Sequence, residues 1–416
     1  MSAIASPTAD AVATRSSFGR WLIAAVLLCL VLTGYFDRIS VAVLFTNKDF
    51  QTAMGTGFNP ALLGMLMTAF FIPYGVASLF LSFTGDRFGP RRMLVAGSLI
   101  WGTLMIIMGS VNSYVSMLLC RIALGIFEGP QFSWILKVIS RWFPRNEHGR
   151  ANTIWLAGSP LGSAIGFPLI IALVATYGWR TTFYVLAALS ILLMAPLILL
   201  VVRDWPQGGA SQPEAQKTPR AAEIWRDCGV FLKDTNFWLL VVCDCGELIY
   251  LWGLNSWLPT YLQKVRNFDL QHLGIYSSLP FVFLLAGVIL SGYLSDKFGR
   301  KAILIFLGLA GAAVLLYAGT AASDRNTAAL IIALSSGMFG LAVPATYALT
   351  QQIVPQGVIA SGSGVINGIA NTVGALAPFA MGLVISATNN FDAGLMVLVV
   401  GAFCCSCAIL PLVKRY

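Results

Sequence analysis

The chain has 416 residues, of which 57 % are hydrophobic and only 10 % are charged. A water-soluble domain carries about 25 % charged residues, so a soluble enzyme or a nucleic-acid-binding domain does not fit this composition. The formal net charge of +9 calls for no nucleic acid either, because the basic residues gather in short polar loops between apolar runs.

In chain order, the first 20 residues are polar and alanine-rich. The apolar run from Trp21 is longer than a signal-peptide core and has no Ala-x-Ala exit, so it is expected to stay as a helix. A membrane-spanning helix needs about 20 mostly apolar residues. By that rule spans are predicted at 21–45, 60–84, 93–111, 114–139, 152–175 and 179–202, then at 237–263, 272–295, 302–320, 328–352, 360–386 and 392–413. The reading is an all-α integral membrane protein with twelve transmembrane helices in two six-helix bundles. Its segments are a tail (1–20), an N-terminal bundle (21–202), a linker (203–236), a C-terminal bundle (237–413) and a second tail (414–416). The linker holds Pro206, Gly208, Gly209, Pro213 and Pro219, and a short surface helix is expected near 224–232. Eight cysteines lie almost wholly in apolar runs, and with only His148 and His272 in the chain they read as small packing residues, not as disulfides or metal ligands.

Lysine and arginine set the orientation. Eighteen fall in the loops and tails of one side, among them Arg15, Arg87, Arg141, Arg203, Lys297 and Lys414. Five fall on the other: Lys48, Arg180, Lys264, Arg266 and Arg325. Both termini are therefore expected in the cytoplasm. On that same side a short signature occurs twice. Gly292-Tyr-Leu-Ser-Asp296-Lys297-Phe-Gly299-Arg300-Lys301 repeats Ser82-Phe-Thr-Gly-Asp86-Arg87-Phe-Gly89-Pro-Arg91-Arg92, each copy lying between two apolar runs. Basic anchors alone would explain the arginines but not an aspartate and a glycine at fixed offsets in both halves. A small residue permits a tight helix crossing, and the aspartate can meet a positive helix N-terminus.

This paired signature resembles that of the major facilitator superfamily, with Ser82 in place of the first glycine and Pro90 inserted in the first copy. Finer features resemble the superfamily's anion:cation symporter branch: Tyr35-Phe-Asp37-Arg38, Arg121-Ile-Ala-Leu-Gly125-Ile-Phe-Glu128-Gly-Pro130, Trp257-Leu-Pro259-Thr-Tyr261 and Gly364-Val-Ile-Asn367-Gly-Ile-Ala-Asn371. The resemblance implies a carrier of organic anions such as sugar acids or aromatic acids, and residues lining a central cavity.

A charge at mid-bilayer costs about 2.5–3.5 kcal/mol even on the mildest scale, so it normally faces a cavity or a partner. Six such groups lie inside the apolar runs: Asp37, Arg38, Arg121, Glu128, Asp244 and Glu247. Arg121 and Glu128 are two turns apart on one face, about 10 Å along the axis, too far to pair directly. Asp37 and Arg38 point about 100° apart. A guanidinium grips a carboxylate through a planar two-point contact and stays charged, whereas a buried carboxyl resists ionisation and can carry a proton. Arg38 and Arg121 are thus expected to meet the substrate anion, and Asp37 and Glu128 the proton. The alternative is a static ion-pair network that fixes the bundle. Relatives often carry an amide at the position of Asp244. Here Asp244 and Glu247 are either protonated, or paired with the arginines, or matched to substrate hydroxyls or an amine, which argues against a multiply charged anion. The family pattern adds Tyr74, Asn255, Tyr347, Gln351, Asn367 and Asn371 as substrate-binding candidates, although helix amides also serve as interhelical glue. Asp86, Arg87, Gly89, Arg91, Gly292, Asp296, Lys297, Gly299 and Arg300 are the gating candidates.

The expectation is proton-coupled uptake of a small organic monocarboxylate across a bacterial inner membrane by alternating access. A gradient-independent facilitator or anion exchanger of the same fold is the alternative, and a transporter-like receptor a remote one. The expected partners are the organic anion, protons and the lipid bilayer, with a monomeric chain and no cofactor, metal or nucleic acid. No nucleophile–base set or phosphate loop suggests an enzyme.

Overall fold

The computed structural model describes residues 17–82, 84–143, 148–204, 232–298, 300–354 and 359–415. Among them every regular element is helical. Ten stretches are long and apolar enough to cross a membrane, one of them, Ala151–Val201, running 51 residues. At 1.5 Å per residue that stretch is far longer than a hydrocarbon core of about 30 Å, so it makes two crossings. The break is Gly178, at φ 80° and ψ 166°, a backbone region that a side chain would strain. The shorter apolar helix Phe391–Cys407 adds the last crossing.

The twelve spans are as follows. The first is Ser17–Val43, the second Pro60–Leu81 and the third Pro90–Ser110. The fourth is Tyr114–Glu128 continued by Gln131–Trp142 after the bend at Gly129-Pro130. The fifth and sixth lie within Gly158–Ala188 and its continuation to Val201. The seventh is Thr235–Lys264, the eighth Leu270–Phe298, the ninth Lys301–Ala321 and the tenth Arg325–Ile353. The eleventh is Ile359–Gly374 with Ala377–Thr388, and the twelfth begins at Phe391.

Local chemistry explains several starts. Asn59 caps the second span through the Leu62 N–H at 3.2 Å, with Pro60 at the first helical position. Asp234 caps the seventh through the Asn236 N–H, Asp324 the tenth through Thr327 and Asn390 the twelfth through Asp392. Each carboxylate or amide oxygen satisfies a donor that the helix leaves unpaired. The helix expected near 224–232 lies outside the described residues.

Within the first half, the second span packs on the fourth and the first on the fifth; in the other half, the eighth and ninth pack on the tenth and the seventh on the eleventh. The second–fourth contact decides where the site falls. A Cβ on Gly125 would collide with the Phe70 carbonyl and lie 3.1 Å from the Tyr74 backbone nitrogen. Glycine there lets the two backbones touch, as small residues do in membrane bundles. Gly125→Val is accordingly expected to destabilise the folded protein by about 1–3 kcal/mol, seen as a lower midpoint of thermal unfolding in detergent.

Close contacts between the halves concentrate toward the end opposite the paired signature. Phe45 packs edge-on against Trp257 at 5.1 Å, Thr46 bonds Gln263, and Ala61 N–H donates to Ser386 Oγ at 3.3 Å. Thr68 Oγ1 donates to the Ala375 carbonyl at 2.7 Å, Phe71 stacks on Trp252 at 4.2 Å, and Phe167 on Phe281 at 5.6 Å.

Candidate functional site

The first, second and fourth spans bring five of the expected residues into one buried cluster. Asp37 and Arg38 are each 2 % exposed, Arg121 is fully buried and Glu128 is 1 % exposed. Arg38 Nε donates to Glu128 Oε1 at 2.6 Å, and Nη2 donates to Gln131 Oε1 at 3.5 Å. The guanidinium carbon lies 4.7 Å from the ring centres of both Tyr35 and Tyr74, 5.4 Å from Phe132 and 5.9 Å from Phe70. Ring faces stabilise a cation that has left water, so Tyr74 contributes to the cluster through its ring. The second carboxylate oxygen of Glu128 and the amide nitrogen of Gln131 are buried and have no hydrogen-bond partner among the described residues. Buried polar atoms are nearly always paired, so two orphans on residues bonded to one guanidinium single out this place.

Arg121 is placed differently. Its Nε donates to the Leu66 carbonyl at 3.2 Å, Nη1 to the Asp37 carbonyl at 3.4 Å, and Nη2 approaches Met67 Sδ at 3.7 Å, with the Phe70 ring 4.6 Å away. Its donors thus tie the fourth span to the backbones of the first two. The Phe70 ring lies near both guanidinium groups, 5.9 Å from that of Arg38 and 4.6 Å from that of Arg121. Glu128 pairs with Arg38 and not with Arg121, as their two-turn separation requires.

In the other half, Glu247 is 3 % exposed and accepts a hydrogen bond from Thr346 Oγ1, while Asp244 is half-buried. The described residues include no ion pair for either acid. Tyr347, 55 % exposed, follows Thr346, the donor to Glu247, on the tenth span. Asn371 Nδ2 donates to Asn367 Oδ1 at 2.7 Å, and Trp252 Nε1 donates to Asn371 Oδ1 at 3.4 Å. Asn371 therefore links the stacked Phe71–Trp252 pair to Asn367. Asn255 is buried two turns beyond Glu247 with an unpartnered Oδ1. The side chain of Gln351 lies outside the described residues.

Of the paired signature, Gly299 lies outside the described residues, as do the side chains of Asp86, Asp296 and Lys297. Gly292 sits in the eighth span, Arg300 precedes the ninth and Arg87 is exposed beside Phe88. Gly89, at φ 88°, turns the chain into the third span. The carboxylate serving the N-terminus of that span is Asp204, which the sequence reading did not single out. Asp204 Oδ1 accepts from the Arg91 backbone N–H at 3.0 Å and lies 3.9 Å from Arg141 at the end of the fourth span. Arg91 Nη2 donates to the Leu199 carbonyl at 2.5 Å, and Trp142 Nε1 to the Arg203 carbonyl at 2.6 Å. The ends of the third, fourth and sixth spans are thus tied at one point. Asp204→Asn should loosen that tie, and faster proteolysis at the end bearing Arg91 and Arg141 would register it. Gln131 was also missed. Its signal was present: a polar amide three residues after Glu128 in an apolar run.

Apolar spans in two helical halves, with charged side chains buried among them, define an integral membrane protein. A model of the Major Facilitator Superfamily matches residues 5–378, and the chain belongs to that family. It is 29 % identical to a probable sulfoacetate transporter of Cupriavidus necator, over 91 % of this chain and 90 % of that one. It is 27 % identical to a probable L-galactonate transporter of Escherichia coli, over 87 % and 82 %. With a hexuronate transporter of Bacillus subtilis it shares 24 % identity over 88 % and 89 %. Among solved structures, a bacterial homologue of the human lysosomal transporter Spinster in an inward-facing, occupied conformation matches with a TM-score of 0.79 at 18 % identity, over 95 % of this chain and 97 % of that one. A D-xylose–proton symporter matches at 0.76 and 14 % identity, over 93 % and 97 %. At those identities the structures bear on the fold alone. Family members move solutes and do not catalyse covalent chemistry, and this chain is a transporter, not an enzyme.

Proposed function

We propose that the chain carries a small organic monocarboxylate together with protons into the cell across a bacterial inner membrane, with both termini cytoplasmic and the monomer as the working unit. The observation that carries this reading is the buried Arg38–Glu128 pair, 2.6 Å apart, with one carboxylate oxygen left unpartnered. While Glu128 is ionised it holds the Arg38 guanidinium. Once Glu128 takes a proton, the charge on Arg38 is uncompensated in a dry site and an incoming carboxylate is its natural replacement. Proton and anion then stabilise each other's binding, which is what coupling requires. Asp37, in the field of Glu128, Arg121 and Arg38, is a second proton site in this scheme. The relatives named for sulfoacetate, L-galactonate and hexuronate support an organic anion. The eighteen-to-five bias of loop lysines and arginines supports the orientation.

The test is uptake of the monoanions L-galactonate and D-glucuronate into proteoliposomes, with the dianion sulfoacetate, for which one relative is named, as the contrast expected to be carried poorly. One proton carried with one monoanion moves no net charge, so the pH difference alone drives it, about 1.4 kcal/mol or tenfold accumulation per unit. A second proton adds about 2.3 kcal/mol for each 100 mV of potential. Accumulation should therefore follow an imposed acid-outside gradient and vanish with a protonophore. Equilibration indifferent to the gradient would instead identify a facilitator or exchanger.

Asp244 and Glu247 bear on the substrate. No described cation pairs with them, so ionised together they would repel a dianion. Asp244→Asn is expected to change the ranking of acids bound and to spare gradient-driven uptake of those that still bind. Loss of driven uptake for every acid with an unchanged ranking would make Asp244 a proton site, and a change in neither would leave it a packing role.

A further inference from the structure

We infer that Gln131 is the alternate partner of Glu128: it takes the protonated carboxyl and thereby releases Arg38 to the substrate anion. The inference rests on the reading of Glu128 as the proton site and assigns the residue that makes the exchange possible. In the structure Arg38 stands between the two side chains, donating to Glu128 Oε1 at 2.6 Å and to Gln131 Oε1 at 3.5 Å. The atoms left over are complementary. Glu128 Oε2 is an unpartnered acceptor and Gln131 Nε2 an unpartnered donor, on residues 1 % and 0 % exposed.

The chemistry distinguishes the two protonation states. An ionised carboxylate offers a primary amide only acceptors, so the pair can form one N–H···O bond and leaves the amide oxygen to Arg38. A protonated carboxyl offers one donor and one acceptor, which match the amide's acceptor and donor in a cyclic pair of hydrogen bonds. The amide therefore favours the neutral acid, and the guanidinium favours the ionised one. The proton itself moves from solvent to Glu128 and back, with no other group changing its bonds.

The room for this exchange comes from the first span. A Cβ on Gly34 would sit 3.1 Å from Glu128 Oε1, 3.5 Å from Gln131 Oε1 and 3.6 Å from Gln131 Nε2. Both side-chain ends thus converge on a point that glycine leaves open, and the bend at Gly129-Pro130 separates their helical segments. The other charged or titratable groups facing Glu128 are Asp37 and Arg38 from the first span, Tyr74 from the second and Arg121 from its own, with Tyr35 against Arg38.

The experiment needs no ligand. Infrared difference spectroscopy of the purified carrier, titrated from about pH 4 to about pH 9, reports the carboxylic-acid carbonyl band that disappears in Glu128→Gln. Removing the amide in Gln131→Met withdraws a partner of the neutral acid, so the band should appear only at lower pH. The expected shift is about one unit, a tenfold loss of proton affinity, and Gln131→Leu should behave alike if Met perturbs folding. A midpoint unchanged in both variants, each verified as folded by its melting profile, would overturn the role of Gln131 while leaving Glu128 as the proton site. A wild-type protein with no Glu128 band across that range would overturn the proton-site reading and this inference with it.

Discussion

Glu128→Gln should abolish gradient-driven accumulation while exchange of substrate between pre-loaded compartments survives in part. Glutamine keeps the shape of the side chain and its Oε1 can still accept from Arg38 Nε, now 2.6 Å away, but it no longer titrates. The guanidinium loses its hydrogen-bonded counter-charge in every state of the cycle, so anion binding no longer responds to a proton at this position. One proton per monoanion across two pH units supports about hundredfold accumulation, and the variant should fall to simple equilibration. The measurement is radiolabelled L-galactonate in proteoliposomes, with and without an imposed gradient, beside counterflow from pre-loaded vesicles. Wild-type accumulation in the variant would move the proton site elsewhere, with Asp37 next in line. Loss of counterflow as well would point to a damaged cavity instead.

The fold was legible because each span must satisfy one demand, about 20 apolar residues in a row, and composition alone reveals it. Even the break between the fifth and sixth spans at Gly178 fell where the apolar runs part. The charged cluster was legible as a set of residues, because charge inside an apolar run is conspicuous. Its pairing was not. Arg38 and Glu128 are ninety positions apart, and which charges meet depends on how the first and fourth spans rotate about their axes. That rotation follows from contacts such as Gly125 against the Phe70 and Tyr74 backbone, which no local pattern encodes. Gln131 was overlooked because amides are common in membrane helices and only its unpartnered nitrogen, visible in three dimensions, sets it apart. Asp204 escaped for a similar reason. It follows an apolar run like any loop acid, and the helix start it serves is 113 positions earlier. The paired aspartate signature drew attention to the right end of the bundle and away from the carboxylate seen there.

Arg38→Lys is the second large effect expected, and Arg121→Lys is its control. Lysine keeps the charge at position 38 but replaces a planar fork with a compact, strongly hydrated ammonium. It cannot reach Glu128 and Gln131 at once, and it loses the flat contact with Tyr35 and Tyr74, both 4.7 Å from the guanidinium. A charged hydrogen bond contributes about 1.5–3 kcal/mol, so affinity for L-galactonate should fall by about 10- to 100-fold in calorimetry, with the melting temperature little changed. Arg121 directs its donors at the Leu66 and Asp37 carbonyls, which are backbone atoms of the first and second spans. Its replacement should therefore lower the melting temperature and leave the ranking of ligands intact. The two arginines differ in their hydrogen-bond partners: Arg38 donates to a carboxyl that can change its charge, whereas Arg121 donates to backbone carbonyls that cannot. Unaltered affinity in Arg38→Lys would give Arg38 a structural role and leave Arg121 and Tyr74 as the anion's candidate partners in the first half.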